Sequence, residues 1–429
     1  MKKRIAFHTV GCKLNFSETS AISKLFNEKE FEIVDFKDDA DFYVLNTCTV
    51  TKNAEKKCRQ ILSKVHNQRQ DAKIIAVGCY SQLKPEDFKQ IEGVSLVLGS
   101  EDKFKINDYL EQIETSEIQI NECSGLTKDF HSAYSIGDRT RTFLKIQDGC
   151  DYFCSYCTIP LARGRSRNAH SEEIVKQVKE IAQKGSKEII LTGVNVGDFG
   201  RSTNEKLIDL LKKLDEVEGI ERFRISSIEP NLITDEIIKF ISVSEKFMPH
   251  FHIPLQSGNN KILQLMKRRY DLDLFTERVR VIKSLIPEAS IGIDVILGFP
   301  SESISDFEST FNFIENIDIS YLHAFPYSER ENTNALKIAD SVPQSERYRR
   351  CNEIISMGEK KKKSFIQKSL GNELNVLYEA NNSKNKLHGY TSNYIRVETQ
   401  YNKDVINKVV KVKLLEILEN GNVLANFVN

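Results

Sequence analysis

Blocks of hydrophobic and polar positions alternate along the first hundred residues of the chain. Short apolar runs, including residues 5–7, 42–45 and 73–77, are separated by polar stretches rich in helix-forming residues. Strands that alternate with helices in this way build parallel sheets covered by helices on both faces. The pattern therefore predicts an α/β domain with a doubly wound parallel sheet over residues 1–113, followed by a polar linker over residues 114–135.

The alternation restarts at Thr142 with a longer spacing between the apolar runs. Amphipathic segments such as residues 172–183 separate the runs and have the periodicity of helices packed on a sheet. Six β/α units are too few to close an eight-stranded barrel, so residues 136–366 are predicted to form an open, six-stranded partial barrel. The predicted strands cover residues 143–147, 188–192, 222–227, 251–255, 290–296 and 321–325.

After a long polar helix, the end of the chain changes to short apolar runs with Gly and Asn turns. This pattern predicts a small all-β barrel over residues 369–429. The segment has seven Lys and Arg against six Asp and Glu, so its charge alone does not indicate RNA binding. Its predicted strands cover residues 373–378, 394–399, 409–417 and 422–427.

The overall composition narrows the class of protein. Of the 429 residues, 61 are Lys or Arg and 61 are Asp or Glu, so no net charge attracts a polyanion. No apolar run approaches the roughly 20 residues that cross a bilayer. We therefore expect a cytoplasmic protein without a membrane partner. Its nine cysteines are then expected to stay reduced and to serve metal binding or catalysis.

Three of these cysteines, Cys150, Cys154 and Cys157, lie within eight residues, directly after the first predicted strand of the partial barrel. Such spacing brings thiolates together on one metal ion or cluster. A zinc ion needs four ligands, so His131 or His170 would have to supply the fourth. An iron–sulfur cluster with three cysteine ligands instead leaves one iron free for chemistry. The spacing favours the cluster over zinc and over three unrelated cysteines.

Three further cysteines, Cys12, Cys48 and Cys79, each directly follow a predicted strand of the N-terminal domain. The carboxyl ends of parallel strands meet at one edge of the sheet, where such folds bind ligands. The positions therefore predict a second three-cysteine site, although single cysteines are often ordinary buried residues. The remaining cysteines receive no functional role; they are Cys58, Cys123 and Cys351.

The C-x₃-C-x₂-C run, with Tyr156 before its third cysteine, resembles the radical S-adenosylmethionine (SAM) superfamily. The resemblance implies that the free iron of a [4Fe-4S] cluster binds SAM, and that one electron cleaves SAM to a 5′-deoxyadenosyl radical. It also implies SAM contacts at the ends of the later strands. The expected SAM-binding residues are Tyr156, Thr192, Gly193, Ser226, Ser227, Glu229 and Ile296.

The whole chain, from residues 11–15 to the β-barrel, resembles the methylthiotransferases. These join a three-cysteine domain, a radical SAM core and a C-terminal RNA-binding TRAM domain. The resemblance implies two [4Fe-4S] clusters, the auxiliary one held by Cys12, Cys48 and Cys79. It also implies two SAM molecules per turnover: one methylates a sulfur atom, and the other yields the radical that removes hydrogen from adenine C2.

Within this family, residues 11–19 and 147–157 resemble the branch that modifies N6-threonylcarbamoyladenosine at position 37, next to the anticodon of tRNA. Where this chain has Lys13-Leu14, the isopentenyladenosine branch usually has Gln-Met and the ribosomal-protein branch Pro-Lys. Methylthiolation of isopentenyladenosine or of a ribosomal protein aspartate therefore stays as an alternative. A non-catalytic, metal-stabilised RNA-binding protein is disfavoured, because both cysteine triplets leave the metal one ligand short.

The expected partners are the anticodon loop of tRNA and an electron donor such as flavodoxin or ferredoxin; the resemblance does not name the sulfur donor. Arg163, Arg165 and Arg167 form a basic run that we predict to contact RNA phosphates, with a solvated loop as the alternative. The polar residues expected near adenine N6 are His252, Gln256, Arg163 and Arg165.

Overall fold

The computed structural model of the protein describes residues 2–115, 120–123, 125, 127–135, 140–380 and 385–428. These residues form three successive units, as the alternating pattern predicts: a parallel α/β domain, a partial β/α barrel and a small β-barrel. Within the described ranges, no helix is both long and apolar enough to cross a membrane.

The N-terminal domain is built on a parallel sheet of six described strands in the order β2-β1-β3-β4-β5-β6. The chain reverses its direction of winding between β1 and β3, and this topological switch point is where such folds bind ligands. The strands are β1 (Lys3–Thr9), β2 (Phe31–Val34), β3 (Phe42–Thr47), β4 (Lys73–Gly78), β5 (Val94–Leu98) and β6 (Ile120–Glu122). The helices are α1 (Lys13–Ser23), α2 (Lys52–Gln68), α3 (Cys79–Leu83) and α4 (Leu110–Thr115).

The predicted linker over residues 114–135 is wrong in one respect. It contains β6, which pairs with β5 in parallel and extends the sheet of the N-terminal domain. A three-residue strand has too few positions to show a periodic pattern, and its pairing with a preceding strand is a tertiary contact.

The central unit contains two parallel three-stranded sheets, β7-β8-β9 and β10-β11-β12. Isolated parallel bridges join Phe223 to Phe247 and Ser227 to His252, so the six strands form one curved row. The strands are β7 (Arg141–Lys145), β8 (Glu188–Thr192), β9 (Arg222–Ile225), β10 (His250–His252), β11 (Ser290–Leu297) and β12 (Tyr321–Pro326). The helices are α5 (Ile159–Arg163), α6 (Ser171–Gln183), α7 (Leu207–Asp215), α8 (Asp235–Val243), α9 (Asn260–Leu265), α10 (Leu272–Leu285), α11 (Ile304–Asn316) and α12 (Gln344–Gln367).

The C-terminal unit is a closed barrel with the strand order β13-β14-β15-β17-β16. Strand β14 is not among the predicted strands, because its sequence is polar, contains Gly389 and alternates only weakly. Pairing with β13 on one side and β15 on the other holds it in the barrel. The strands are β13 (Glu373–Tyr378), β14 (Lys386–Thr391), β15 (Arg396–Gln400), β16 (Val409–Ile417) and β17 (Val423–Phe427).

The β-barrel packs on the partial barrel through two arginines of β9. Arg222 donates to the carbonyl oxygens of Tyr390 (3.0 Å) and Asn375 (2.9 Å). Arg224 donates to those of Ser392 (2.9 Å) and Thr391 (3.0 Å). Both guanidinium groups are buried beside the carboxylate of Glu188, which balances part of their charge.

Candidate active site where the three units meet

The first cysteine triplet lies on the loop between β7 and α5. Each thiol has an N–H donor: the Tyr152 amide lies 3.5 Å from Cys150 Sγ, the Ile159 amide 3.5 Å from Cys157 Sγ, and Arg268 Nη1 3.0 Å from Cys154 Sγ. Burial raises the pKa of Cys150 and of Cys157 to about 12. These thiols are therefore protonated without a metal, and metal binding would release their protons.

The second triplet lies at the carboxyl ends of three adjacent strands, as predicted. Cys12 follows β1, Cys48 follows β3 and Cys79 follows β4, so the triplet spans the topological switch point. Gly11 has φ +116°, and a Cβ atom there would lie only 3.0 Å from Cys48 Sγ. The glycine therefore lets the first cysteine loop approach the second. Burial raises the pKa of Cys48 to about 12, and the neighbouring Cys79 and Cys12 add to the rise.

A cavity of about 960 Å³ lies between the three units of the protein. Cys12 and Lys13 line it from the N-terminal domain. Tyr390, Tyr394 and Arg396 line it from the C-terminal β-barrel. The partial barrel contributes residues at or just after the ends of β8, β9 and β10 and residues within β11, among them Thr192, Gly193, Ser226, Ser227, His252 and Asp294.

The chain matches proteins of known family along nearly its whole length. Residues 4–99 match the Uncharacterized protein family UPF0004, and residues 144–314 match the Radical SAM superfamily. The chain is 39% identical to the threonylcarbamoyladenosine tRNA methylthiotransferase MtaB of Bacillus subtilis (strain 168), over 96% of the chain and 94% of that protein. The chain belongs to the radical SAM methylthiotransferase family.

The same family includes a second kind of relative. The chain is 31% identical to the tRNA-2-methylthio-N(6)-dimethylallyladenosine synthase of Clostridium botulinum (strain Alaska E43 / Type E3), over 95% of the chain and 92% of that protein. Among solved structures, the radical SAM methyltransferase TsrM from Kitasatospora setae, with cobalamin and a [4Fe-4S] cluster bound, superposes with a TM-score of 0.56. That match covers 76% of this chain and 72% of that one at 13% identity, and it shows a shared fold.

The protein is a radical SAM tRNA methylthiotransferase, an enzyme whose cofactors are two [4Fe-4S] clusters and SAM. The two cysteine sites fit such clusters in number and chemistry. Each presents three thiols, the ligands that iron–sulfur clusters take in proteins. Each also has a guanidinium donor beside one sulfur atom: Arg268 beside Cys154 and Arg163 beside Cys79 (3.1 Å).

The residues that the radical SAM resemblance implies for SAM binding divide into two groups. Thr192, Gly193, Ser226 and Ser227 line the cavity. The other three residues are Tyr156, Glu229 and Ile296, and none of them is among the described residues that line the cavity.

Tyr156 belongs to the first cysteine loop, and the other two residues are connected to it through shared contacts. Tyr156 and Ile296 pack against a small apolar cluster that includes Phe299. Glu229 forms an ion pair with Arg268, and Arg268 Nη1 also lies 3.4 Å from the Tyr156 hydroxyl. Tyr156 and Glu229 are therefore placed to support the loop of Cys154.

His252 lies in the cavity as predicted, and the structure adds two neighbours to it. Its Nδ1 is hydrogen-bonded to Ser227 Oγ (2.7 Å), and its Nε2 lies 3.3 Å from Asp294 Oδ1. His252, Asp294 and His323 each offer one possible metal-ligand atom, and these atoms lie within 4.8 Å of one another. Gln256 is not among the described residues that line the cavity; it bridges to Val295 in the backbone of β11.

Tyr390 and Tyr394, which the sequence of the C-terminal barrel offers as possible stacking residues for RNA, line the cavity, and two arginines lie beside them. The rings of Tyr390 and Tyr394 stack at 4.8 Å, and Arg141 and Arg224 lie over them at 4.4 and 4.9 Å. Burial raises the pKa of Tyr394, but the charges of Lys13 and Arg141 bring it below its ordinary value.

The prediction that Arg163, Arg165 and Arg167 form an exposed RNA-binding run is wrong for two of them. The Arg163 and Arg167 side chains are only 2% and 7% exposed, and both form ion pairs with Asp148. The Arg165 side chain is 79% exposed and remains a candidate phosphate contact. A local basic run shows which residues carry charge, whereas the buried acidic partners come from distant parts of the chain.

Proposed function

We propose that this protein inserts a methylthio group at C2 of N6-threonylcarbamoyladenosine at position 37 of tRNA. The observation that carries the proposal is the cavity itself, because Cys12 lines it on one side and the strand ends Thr192, Ser226 and Ser227 line it on the other. In this proposal the adenine binds between Cys12 and the strand ends implied for SAM, because both reactants must be held next to one carbon atom, C2. Cys150, Cys154 and Cys157 are not among the described residues that line the cavity.

In this proposal the two triplets hold the two clusters. Cys150, Cys154 and Cys157 hold the SAM-cleaving cluster, and the auxiliary cluster is held by Cys12, Cys48 and Cys79. When bound, the clusters and SAM supply the radical and the methylthio group, which no side chain provides. The protein orients the base, excludes water and presents hydrogen-bond partners for SAM at the ends of β8 and β9.

The choice of substrate is inferred from charge. The threonylcarbamoyl group carries a carboxylate and a hydroxyl, whereas an isopentenyl group is apolar. The cavity presents the Lys13 ammonium, the Tyr394 hydroxyl and the His252 imidazole. Burial lowers the pKa of Lys13, with smaller electrostatic effects from Tyr394 and Cys12, which raise it, and from Arg141 and Arg224, which lower it. We propose that Lys13 pairs with the substrate carboxylate.

Binding of the anticodon loop is proposed to combine the exposed Arg165 with the aromatic wall of the C-terminal β-barrel. Tyr390 and Tyr394 stack at the edge of the cavity rather than on the outer face of the barrel. A single-stranded loop can unstack a base and place it against aromatic rings. An electron donor such as flavodoxin or ferredoxin is proposed to reduce the cluster at the first triplet.

The test uses two tRNAs that differ only in the group on N6 of the adenosine at position 37. After anaerobic turnover with SAM, sulfide and a reductant, nucleosides are identified by mass spectrometry. We expect 2-methylthio-N6-threonylcarbamoyladenosine and at least about a hundredfold less product from isopentenyladenosine, because the buried cation would lose its partner. Preferential modification of the isopentenyl tRNA would contradict the substrate assignment and leave the methylthiotransferase activity standing.

A further inference from the structure

Arg163 connects the two cysteine sites directly. It is the last residue of α5, the short helix that begins two residues after Cys157. Its side chain leaves the partial barrel, enters the N-terminal domain and is 2% exposed there. It is among the largest fully buried side chains in the described part of the protein.

All five N–H donors of this guanidinium have an acceptor. Nε donates to Cys79 Sγ at 3.1 Å, and Nη1 donates to Glu18 Oε1 at 2.9 Å and to Asp148 Oδ1 at 3.0 Å. Nη2 donates to Asn15 Oδ1 at 2.6 Å and to Glu18 Oε2 at 2.8 Å. A lysine has the same charge but only three donors and no planar fork, so it cannot reproduce this set.

The contact with Asn15 extends the influence of Arg163 to the other two cysteine loops. The Asn15 amide donates to the carbonyl oxygen of Val10 (3.0 Å), just before Gly11 and Cys12. It also donates to the carbonyl oxygen of Thr47 (3.1 Å), the residue before Cys48. Arg163 therefore touches Cys79 itself and Asn15, a side chain that is hydrogen-bonded to the loops of both Cys12 and Cys48.

We propose that Arg163 is a positioning residue for the auxiliary cluster. From the loop of the SAM-cleaving cluster, it orients Cys79 and raises the reduction potential of the cluster held by Cys12, Cys48 and Cys79. The inference rests on the proposed function, because it requires those three cysteines to be ligands. Hydrogen bonds to ligand sulfurs and nearby positive charge stabilise the reduced, more negative form of an iron–sulfur cluster.

The experiment uses the full chain with Cys150, Cys154 and Cys157 replaced by Ala and reconstituted anaerobically, so that only the auxiliary cluster is present. The midpoint potential is measured by a redox titration followed by electron paramagnetic resonance. In R163K we expect the ratio of reduced to oxidised cluster at a fixed potential to fall at least tenfold, a shift of about 59 mV for one electron. R163K retains the charge and removes the guanidinium fork.

R167K is the matched control. Arg167 is buried beside the same Asp148 and donates to backbone carbonyl oxygens rather than to a cysteine. We expect R167K to leave the midpoint potential unchanged. An equal shift in both variants would overturn the inference, because it would reflect the charge network rather than the contact with Cys79.

A second measurement does not depend on the folding of R163K. It uses the same chain without Cys150, Cys154 and Cys157, with Arg163 retained and with ¹⁵N-labelled arginine. Electron–nuclear double resonance of its reduced cluster should show a ¹⁵N coupling. Absence of this coupling would overturn the inference. The iron count separates the two proposals: a chain without Cys150, Cys154 and Cys157 that binds no iron would refute the ligand assignment, and with it the role of Arg163. Iron bound without a ¹⁵N coupling would refute the role of Arg163 alone.

Discussion

In the proposed function, Lys13 serves the substrate rather than the cluster, although it lies next to Cys12 in the cysteine motif. It follows Cys12 at the start of α1, and its side chain lines the cavity together with Tyr394 of the C-terminal β-barrel. An ammonium in a cavity of this kind is costly unless an anion joins it. The carboxylate of a threonylcarbamoyl group is such an anion, whereas an isopentenyl group offers none.

We predict that K13M weakens modification of threonylcarbamoyladenosine tRNA by about ten- to 150-fold in kcat/KM. The loss of one charge-assisted hydrogen bond, about 1.5–3 kcal/mol, accounts for this range. Steady-state kinetics on both tRNAs checks the prediction. K13R is the control and should keep most of the activity, because it retains the charge. If K13M modifies the tRNA as fast as the wild type, Lys13 does not bind the carboxylate.

At the scale of elements, α1 is unusual because its buried face is polar. Glu18 is fully buried and pairs with Lys103 Nζ at 2.6 Å, with Lys145 Nζ at 2.9 Å and with Arg163. Lys103 follows β5, whereas Lys145 ends β7 in the partial barrel. A single carboxylate therefore holds together cations from two units. Burial alone would raise the pKa of Glu18, but these cations hold it well below its ordinary value.

We predict that E18Q lowers the free energy of unfolding at pH 7 by about 3–5 kcal/mol, because it leaves buried cations without their partner. A carboxyl group whose pKa is lowered by folding stabilises the folded state fully at pH values above its unfolded-state pKa, which is near 4.3 for Glu. It loses this contribution as the pH falls from there through the folded-state pKa. The difference between wild type and E18Q should therefore shrink below about pH 4. Urea unfolding of the two cluster-free chains between pH 7 and pH 3 measures this difference in free energy.

The control for this comparison is E172Q. Glu172 pairs with Lys213 at 2.6 Å on the surface, where its side chain is 72% exposed. Solvent screens surface pairs of this kind, so we expect E172Q to leave the free energy of unfolding nearly unchanged. Equal losses for E18Q and E172Q would show that the buried network does not stabilise the contact between the two units.

At the scale of the whole molecule, the cavity exists only because three units meet. The C-terminal β-barrel supplies one wall, and Arg222 and Arg224 join it to β9. Arg330, after β12, contacts Thr49 and Glu55 in the N-terminal domain, and Thr49 directly follows Cys48. The partial barrel is therefore tied to the N-terminal domain at the loop of Cys48 as well as through Arg163.

We predict that a chain ending at Lys368 unfolds at a lower temperature than the full chain and loses tRNA modification. Four carbonyl acceptors of the two buried arginines would be removed, and hydrogen bonds to charged groups contribute about 1.5–3 kcal/mol each before water replaces them. Thermal unfolding followed by circular dichroism measures the loss. A chain shortened only by its last two residues is the control. An unchanged unfolding temperature would show that the β-barrel is an independent module.

The sequence by itself determined what depends on short stretches of chain. Strand periodicity predicted β1 to β5 and the six strands of the partial barrel. The spacing of Cys150, Cys154 and Cys157 indicated a single site, because three side chains within eight residues of chain cannot lie far apart. It also determined that Cys12, Cys48 and Cys79 share a sheet edge, since parallel strands align their carboxyl ends.

Only the tertiary structure decided which charges are buried together. Arg163 and Glu18 are separated by 145 positions in the chain, and no local pattern marks them as partners. The same holds for Tyr394, which reaches the cavity because the C-terminal β-barrel docks on β9, and for β6, which is a strand because it pairs with β5. Periodicity reports which face of an element is apolar. The partner of a buried polar group is set by how the elements pack.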